Sequence, residues 1–525
     1  MYNKEKTCLV NKGFRNRRAD QNRGIFMAKI VIIGGGVSGL SAGIYARLHG
    51  HRAIVCERHF VPGGNLTGWD RDGYHIDNCI HWLTGTNPSS SLYKMWEELG
   101  VLGNTGVIQG DTLYTYEKDG QSISLYRDLN KLKEEMLRIS PEDKREICSL
   151  IRTVEILQGL FGIYGKEHNK GLTFKGALFA VPSLVKYYKL SSGDLAKRFK
   201  SPLLGSFLSS FFGKDFGSLA VLFVFAHFCG DNGGIPEGGS AVMALRMAER
   251  FKSLGGELLL RKETVRVECK NGRAEHVTFA DGTDITADYV ILTTDPAVAF
   301  EKLLAATMPS RLGQKYRDPR LVRFSSYQCA FALDMEKVPF RGDLIFDVPA
   351  EMKKKLPVEQ VIVREFSHEP SFAPKGKNLL QTMTFVSEET AKGFIKLRER
   401  SRGAYERQKR RLSDMMKKLI VGRFPEMEGR LRCIDVWTPA TYHRFTDTEM
   451  GSWMSFALPK KVLPVRDGNR IPGLSNVILA NQWQQIPGGL PIAAEGGKLA
   501  VKTVVKMEKR SSVKAGVKNK PVLTR

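Results

Sequence analysis

The stretch Ala28-Lys29-Ile30-Val31-Ile32-Ile33-Gly34-Gly35-Gly36-Val37-Ser38-Gly39 decides the fold. Residues 28–33 read as a short apolar strand, the glycines as a turn, and residues 38–49 as a helix; a second strand at Arg52–Cys56 completes a βαβ start. This is a GxGxxG spacing in the context that gives it meaning. Gly34 permits a tight turn, Gly36 lets backbone approach a pyrophosphate, and Gly39 lets helix and strand pack closely. The helix start at Val37 and Ser38 adds N–H groups and a positive dipole end. Glu57 closes the second strand, 23 residues beyond Gly34, where a carboxylate can accept from the hydroxyl pair of an adenosine ribose. A glycine turn that only served a buried helix would not need Glu57, so the set points to an adenine dinucleotide.

Working outward, residues 93–231 change character from amphipathic charged helices to a long apolar and basic stretch, and read as a mostly helical insertion. From Gly233 the first pattern returns. A turn with Gly234, Pro236, Gly238 and Gly239 leads into a helix through Leu254, then strands at 257–261, Thr264–Lys270 and 274–279, and a buried strand at Tyr289–Leu292. Residues 301–435 form a second insertion with strands and a basic helix near 404–421; an apolar strand at 476–480 and a helix opened by Gly488-Gly489 and running to about 507 close the chain. The expected organisation is a discontinuous dinucleotide-binding domain (27–92, 232–300 and 436–505), a substrate- and membrane-contacting domain (93–231 and 301–435), and basic disordered extensions at 1–26 and 506–525. Met27 directly precedes the first strand, which leaves open whether translation starts at Met1 or Met27.

Composition narrows the classes. With 525 residues, 42% of them hydrophobic, the chain can bury large cores. Its formal charge is +25, but residues 1–26 carry seven basic and two acidic residues and residues 506–525 seven and one, so the ends hold +11. Charge in tails suits solvation or lipid contact, and no nucleic-acid partner is expected. Eight scattered cysteines, without CxxC or CxxH spacing to suggest zinc or a redox pair, read as free thiols in a reducing compartment. No metal is expected, and the absence of a Ser-His-Asp set or paired-carboxylate motif gives hydrolysis no support. No run approaches the roughly 18 apolar residues of a spanning helix; the expectation is a cytoplasmic protein bound peripherally to a membrane.

The residues after Glu57 distinguish flavin from nicotinamide. Arg58-His59-Phe60-Val61-Pro62-Gly63-Gly64-Asn65 resembles the E-K-x-x-x-x-G-G-R/N run of the FAD-containing amine oxidase and phytoene desaturase superfamily. Gly73-Tyr74-His75-Ile76-Asp77-Asn78-Cys79-Ile80-His81-Trp82 is similar to the G-[YF]-x-F-D-x-G-x-H-Y segment of its saturase and carotenoid isomerase branch, with Cys79 in place of glycine. Gly234-Ile235-Pro236-Glu237-Gly238-Gly239-Ser240 resembles its P-x-G-G-[MS] turn, and the segment around Thr264 to Val267, Val265 included, resembles its second adenosine contact, made by backbone groups next to the adenine. Residues 471–483, then Pro487-Gly488-Gly489-Leu490-Pro491, are similar to its closing P-G-L-x-N-[VL]-x-x-A-G-[DQ]-W and P-G-G-G-[LV]-P signatures, with Asn481 where glycine is usual and Gln482 where many members have aspartate. The resemblance spans residues 29 to 505 at four separated blocks and is weak in the insertions.

It implies an α/β fold: a Rossmann-like FAD-binding domain of the glutathione reductase type, interleaved with a mixed α+β substrate domain. It implies FAD along Gly34, Gly36, Glu57, Arg58, Gly63, Gly64 and Asn65, with Asn481 and Gln482 at the ribityl chain. Gly489, Leu490 and Pro491 then lie at the helix start facing the flavin pyrimidine, where a positive dipole end favours reduction. The activity implied is redox at C–C/C=C bonds of a long isoprenoid or polyene by hydride transfer at flavin N5, of the desaturase, carotenoid isomerase or retinol saturase kind, with direction open. His81 is the candidate for handling a proton, and a hydrogen-bonded structural histidine is its other reading. Trp82, Trp437 and Trp483 are candidates to wall a polyene tunnel, or core residues.

Residues 165–200 hold eight basic and two acidic residues interleaved with apolar ones, among them Leu172, Phe174, Leu178, Phe179, Val181 and Leu184, and fit a membrane interface or an ordinary helix pair. Amine oxidase or protoporphyrinogen oxidase chemistry on the same scaffold, and a prenyl-lipid binding protein of the Rab escort type, remain the competing readings.

Overall fold

β1 (Lys29–Ile33) lies at the centre of a five-stranded parallel sheet. On one side it pairs with β2 (Arg52–Cys56), which pairs with Glu257–Leu259; on the other it pairs with Tyr289–Leu292, which pairs with Val477–Leu479. Numbered along the chain, the spatial order is 3-2-1-4-5, the doubly wound arrangement. Ile30, Val31 and Ile32 are fully buried, as expected of a strand covered on both faces, which is why these strands read as apolar runs without alternation. The computed structural model describes residues 27–163, 174–354 and 358–514. Residues 1–26 and 515–525, expected as basic extensions, lie outside the described residues.

Helix α1 (Val37–Leu48) covers one face and packs against the closing helix Leu490–Lys514. The two approach closely: the Ser38 and Ser41 hydroxyls donate to the carbonyls of Ala493 (2.8 Å) and Ala494 (2.6 Å), and a Cβ at Gly497 would run into the Ser38 carbonyl. The closing helix continues through Lys514, so residues 506–514, expected as tail, are helical. Val501 and Val504, just before that stretch, are fully buried, and Met507 within it packs half-buried against the same core.

The insertions fold together. An eight-stranded sheet runs Leu431–Trp437, Arg323–Leu333, Asn378–Val386, Gln360–Glu365, Asp343–Asp347, Thr112–Lys118 and Gln121–Tyr126, with Met454–Phe456 paired to one end of Arg323–Leu333. The parallel pairing of Asp343–Asp347 with Thr112–Lys118 joins the two insertions into one sheet. The first insertion is therefore not mostly helical throughout: its Thr112–Lys118 and Gln121–Tyr126 hairpin belongs to the sheet, closed by Asp119-Gly120 at positive φ. The alternation of 113–116 is short and lies among charged residues, and the pairing partner sits more than 200 residues away. Beyond the hairpin the insertion is helical, and Ser218–Cys229, apolar on nearly every face, is a core helix.

Gly39 tests the turn. A Cβ there would collide with the Gly34 carbonyl, so Gly39→Ala should destabilise the protein by about 1–3 kcal/mol, measured as an earlier denaturation midpoint.

Candidate active site

All five parallel strands run toward one edge, and hydrogen bonds carry the ladder one residue past each end. Gly34 N donates to the Cys56 carbonyl (2.9 Å), Glu57 N to Leu259 (2.8 Å), Thr293 N to Ile33 (3.1 Å) and Ala480 N to Leu292 (2.9 Å). The glycine turn, Glu57, Thr293 and Asn481 are thereby held side by side.

A cavity of about 800 Å³ opens above this edge. Gly34, Gly36, Val37 and Ser38 line it from the turn, with Gly34 at φ +102°. Glu57 is buried, its Oε2 accepting from Gly35 N (2.7 Å) and its Oε1 from His59 N (2.9 Å). Those two donors aim the carboxylate and leave each oxygen a lone pair for a hydroxyl. Gly63 (φ +118°) and Gly64 (φ +61°) lie against Gly36, bridged to it by a Gly63 N to Gly35 carbonyl bond of 2.9 Å.

Arg58 lines the cavity but directs its guanidinium to Asp447 (2.9 Å) and the Arg444 and Phe445 carbonyls, tying the helix Pro439–Thr446 to the site. Asn65, also in the lining, donates to the Trp453 carbonyl (3.3 Å).

From the closing segment, Asn481, Gln482, Gly489, Leu490 and Pro491 line the same cavity. Asn481 is held as a cap, its Oδ1 accepting from Trp483 N (3.1 Å) and its Nδ2 donating to the Thr294 carbonyl (2.9 Å). Gln482 Oε1 accepts from Gly489 N (3.1 Å) at the start of the closing helix, whose first turn borders the cavity.

Gly39 lies behind the turn, where a Cβ would meet the Gly34 carbonyl, in the packing role that the glycine spacing gives it. The Val265 side chain is 45% exposed, so this residue can meet a ligand only through its backbone, while the neighbouring Lys262, Glu263 and Thr264 line the cavity.

His81, Trp82 and Trp483 line the cavity, and His81 Nδ1 lies 2.8 Å from Asp343 Oδ2. Trp437 does not: it is buried in a separate cluster, edge-on to Trp69 at 5.2 Å and donating to the Tyr442 hydroxyl at 3.0 Å. Burial, with Asp77 nearby, pushes the Cys79 thiol up to about 12, so it stays protonated beside the cavity.

Sequence reasoning missed Thr293, Thr294 and Asp295, which follow the strand Tyr289–Leu292 into the lining. The rule that ligands sit at the carboxyl ends of parallel strands would have found them. Thr264 Oγ1, Thr294 Oγ1 and Asp295 Oδ2 are buried without a protein partner. Asp295 is 4% exposed; its Oδ1 accepts from the Tyr316 hydroxyl and Ala297 N, each at 2.8 Å. Burial pushes its carboxyl up to about 7 against those two bonds.

The far half of the cavity is apolar, walled by Leu157, Phe211, Phe212, Phe216 and Leu219. It reaches Phe161 and Phe223, which are 44% and 37% exposed with rings 5.0 Å apart. Of the expected interfacial segment, Leu172 and the side chains of Phe174, Leu178 and Phe179 lie outside the described residues, while Val181 and Val185 are exposed on Phe174–Tyr188. No helix among the described residues is long and apolar enough to cross a membrane, and none of their His, Cys, Asp and Glu side chains form a group of three that could hold a metal.

Residues 37–505 match the profile of the flavin containing amine oxidoreductases. A chloroplastic prolycopene isomerase of Daucus carota is 23% identical over 82% of this chain and 73% of its own length. A lycopene-forming phytoene desaturase of Pseudescherichia vulneris is 21% identical over 91% and 99%. Among solved structures, an oxidoreductase from Methanosarcina mazei superposes with a TM-score of 0.59 at 19% identity (91% of this chain, 100% of that one), and a putrescine oxidase with 0.57 at 16% (92% and 99%). These structural likenesses establish the shared α/β fold.

Asp295 supplies a pH test. Its folded-state value lies above the ordinary carboxyl range, so the folded chain binds the extra proton between about pH 4 and 7, and wild-type stability falls as pH rises through that window. Asp295→Asn should gain on wild type by up to the order of 4 kcal/mol between those limits and no further above them, measured by denaturant unfolding at stepped pH.

Proposed function

The chain belongs to the flavin-containing amine oxidoreductases and is an FAD-dependent oxidoreductase, and from that footing we propose that it exchanges hydrogen at a C–C/C=C bond of a long apolar isoprenoid or polyene drawn from a membrane surface. The observation that carries the reading is a single cavity with a polar end at the strand edge and an apolar end reaching exposed phenylalanines.

At the polar end the lining fits FAD. A Cβ at Gly36 would meet only Gly63 O at 3.7 Å and Gly64 Cα at 3.9 Å, and Gly36 has an ordinary extended backbone. Nothing in the protein requires glycine there, whereas a pyrophosphate against the turn does. Thr264, Thr294 and Asp295 offer buried polar atoms that lack protein partners, and Glu57 offers lone pairs to a ribose. Gly34, Val37 and Ser38 would hold the pyrophosphate, Glu57 the ribose, and Asn481 through Pro491 the flavin end. When bound, FAD takes up or returns a hydride.

The lining from 157 to 224 is aliphatic or aromatic, without a carboxylate among the described residues to meet an ammonium group, which favours a hydrocarbon over an amine. The names of the isomerase and desaturase relatives point to polyenes. His81, in the cavity lining beside Trp82, is the candidate to handle a proton at the reacting carbons, an imidazole being suited to proton transfer near neutral pH.

Exposed Leu160, Phe161, Val181, Val185 and Phe223 lie on three helices packed on one another at the apolar mouth, and Lys189, Lys197 and Lys200 follow in the chain. Exposed apolar groups in a part of the chain rich in lysine suit an anionic lipid surface, from which a water-insoluble substrate enters.

Gly36→Ala should leave the denaturation midpoint of the flavin-free protein nearly unchanged while the protein as purified loses its flavin absorbance; retained absorbance would remove the turn from the binding site. The function itself is tested with phytoene and prolycopene in anionic vesicles, incubated anaerobically with the oxidised or the reduced protein. A product changed by two hydrogens, or a double-bond isomer, is expected, together with salt-sensitive vesicle binding that Phe161→Asp weakens. Failure of both polyenes to change would sink the proposal.

A further inference from the structure

His81 comes from the segment beside the dinucleotide turn, yet its partner comes from the other sheet. Asp343 begins the strand Asp343–Asp347, and antiparallel register sets it directly opposite Arg364. Asp343 Oδ2 faces His81 Nδ1 at 2.8 Å, and its Oδ1 faces Arg364 Nε at 3.3 Å. The Asp343 and Arg364 side chains are only 5% and 7% exposed, against 20% for His81. Arg364 then donates from Nη1 to the Ile80 carbonyl (2.6 Å) and from Nη2 to the His81 carbonyl (3.3 Å). One guanidinium thus grips both the carboxylate and the backbone that carries the imidazole.

A carboxylate with no proton of its own can only accept at Nδ1, so the hydrogen there belongs to the ring. Burial raises the Asp343 carboxyl, and its contacts with His81 and Arg364 outweigh that and hold it below the ordinary range. In the neutral ring with its hydrogen on Nδ1, Nε2 is the bare nitrogen; it has no hydrogen-bond partner among the described residues, and His81 lines the cavity. Removing two charges from water costs several kcal/mol per ion, which packing alone does not call for at this position. Cys79, the nearby thiol, is held protonated by burial and cannot serve as a base.

We infer that Asp343, clamped by Arg364, is a positioning residue that fixes His81 in its Nδ1–H form and presents Nε2 to the substrate as a proton acceptor. The inference rests on the proposed hydrogen exchange at a carbon–carbon bond. In desaturation one hydrogen leaves as a hydride, with both electrons of its C–H bond, to the flavin oxidant of the established activity. The neighbouring hydrogen leaves as a proton to His81 Nε2, and the electrons of its C–H bond become the second bond of the new C=C. The imidazolium so formed is met by the Asp343 carboxylate across Nδ1–H. Saturation runs the same transfers in reverse.

The test is made on the full-length, flavin-loaded protein with ring-¹⁵N histidine, using loss of one signal set in His81→Gln for assignment. Wild type should show His81 with Nδ1 protonated and Nε2 bare, a readout that needs no variant and no substrate. Asp343→Asn, able to offer an amide N–H to Nδ1, should move the proton to Nε2 while leaving the flavin absorbance unchanged. With whichever of phytoene or prolycopene wild type converts, kcat should fall about 10²–10⁴-fold with KM nearly constant. A wild-type ring protonated at Nε2 alone overturns the inference, as does an Asp343→Asn protein that keeps the wild-type tautomer or wild-type turnover. If neither polyene reacts, the substrate reading fails, while the tautomer in wild type and in Asp343→Asn still decides the positioning role.

Discussion

Parallel pairing is the constraint on which the rest depends. Strands that run the same way must all finish at the same edge, so segments ending at residues 33, 56, 259, 292 and 479 deliver their next residues to one line. Parallel neighbours cannot be joined by a tight turn, and this chain uses the obligatory crossovers to carry whole substructures. The cavity exists because five strand ends and the start of the closing helix converge where the sheet's own hydrogen bonds stop.

Close approach between helices makes that edge rigid. α1 and the closing helix are far apart in sequence, yet serine hydroxyls on one reach carbonyls on the other, and glycine at 497 leaves room for the Ser38 carbonyl. The glycine turn opens the first of these helices and Gly489 the other, so fixing the helices against each other also fixes two walls of the cavity.

The second sheet works differently. Its longest strand, Arg323–Leu333, is buried along its whole length, and polar residues within the sheet find one another across strands. Asp343 and Arg364 are such a pair, and His81 enters from the neighbouring body to complete it. Burying such charges gains little stability unless geometry and hydrogen bonds are good. Here Asp343 has a partner on each oxygen, whereas Asp295, in the cavity lining, keeps one oxygen without a protein partner. The apolar lining between Leu157 and Val224 separates this chemistry from water, and the exposed aromatic residues at its end give an apolar molecule a continuous path inward.

Local rules made the dinucleotide half legible. Residues 28–57 carry their strand, turn, helix and carboxylate within one βαβ span, and the closing signature at 471–491 is equally compact, so short-range patterns of apolar runs and obligatory glycines determine them. What the sequence could not decide is whatever depends on distant pairing or on which way a side chain points. The hairpin at 112–126 joins strands more than 200 residues away, and Trp437 fills a separate core. His81 was visible as a candidate, but Asp343 and Arg364 were not, because only sheet register sets two residues 21 positions apart opposite each other and against a third from residue 81. Chain entropy lets many pairings compete for the same apolar pattern, and only their simultaneous packing selects one.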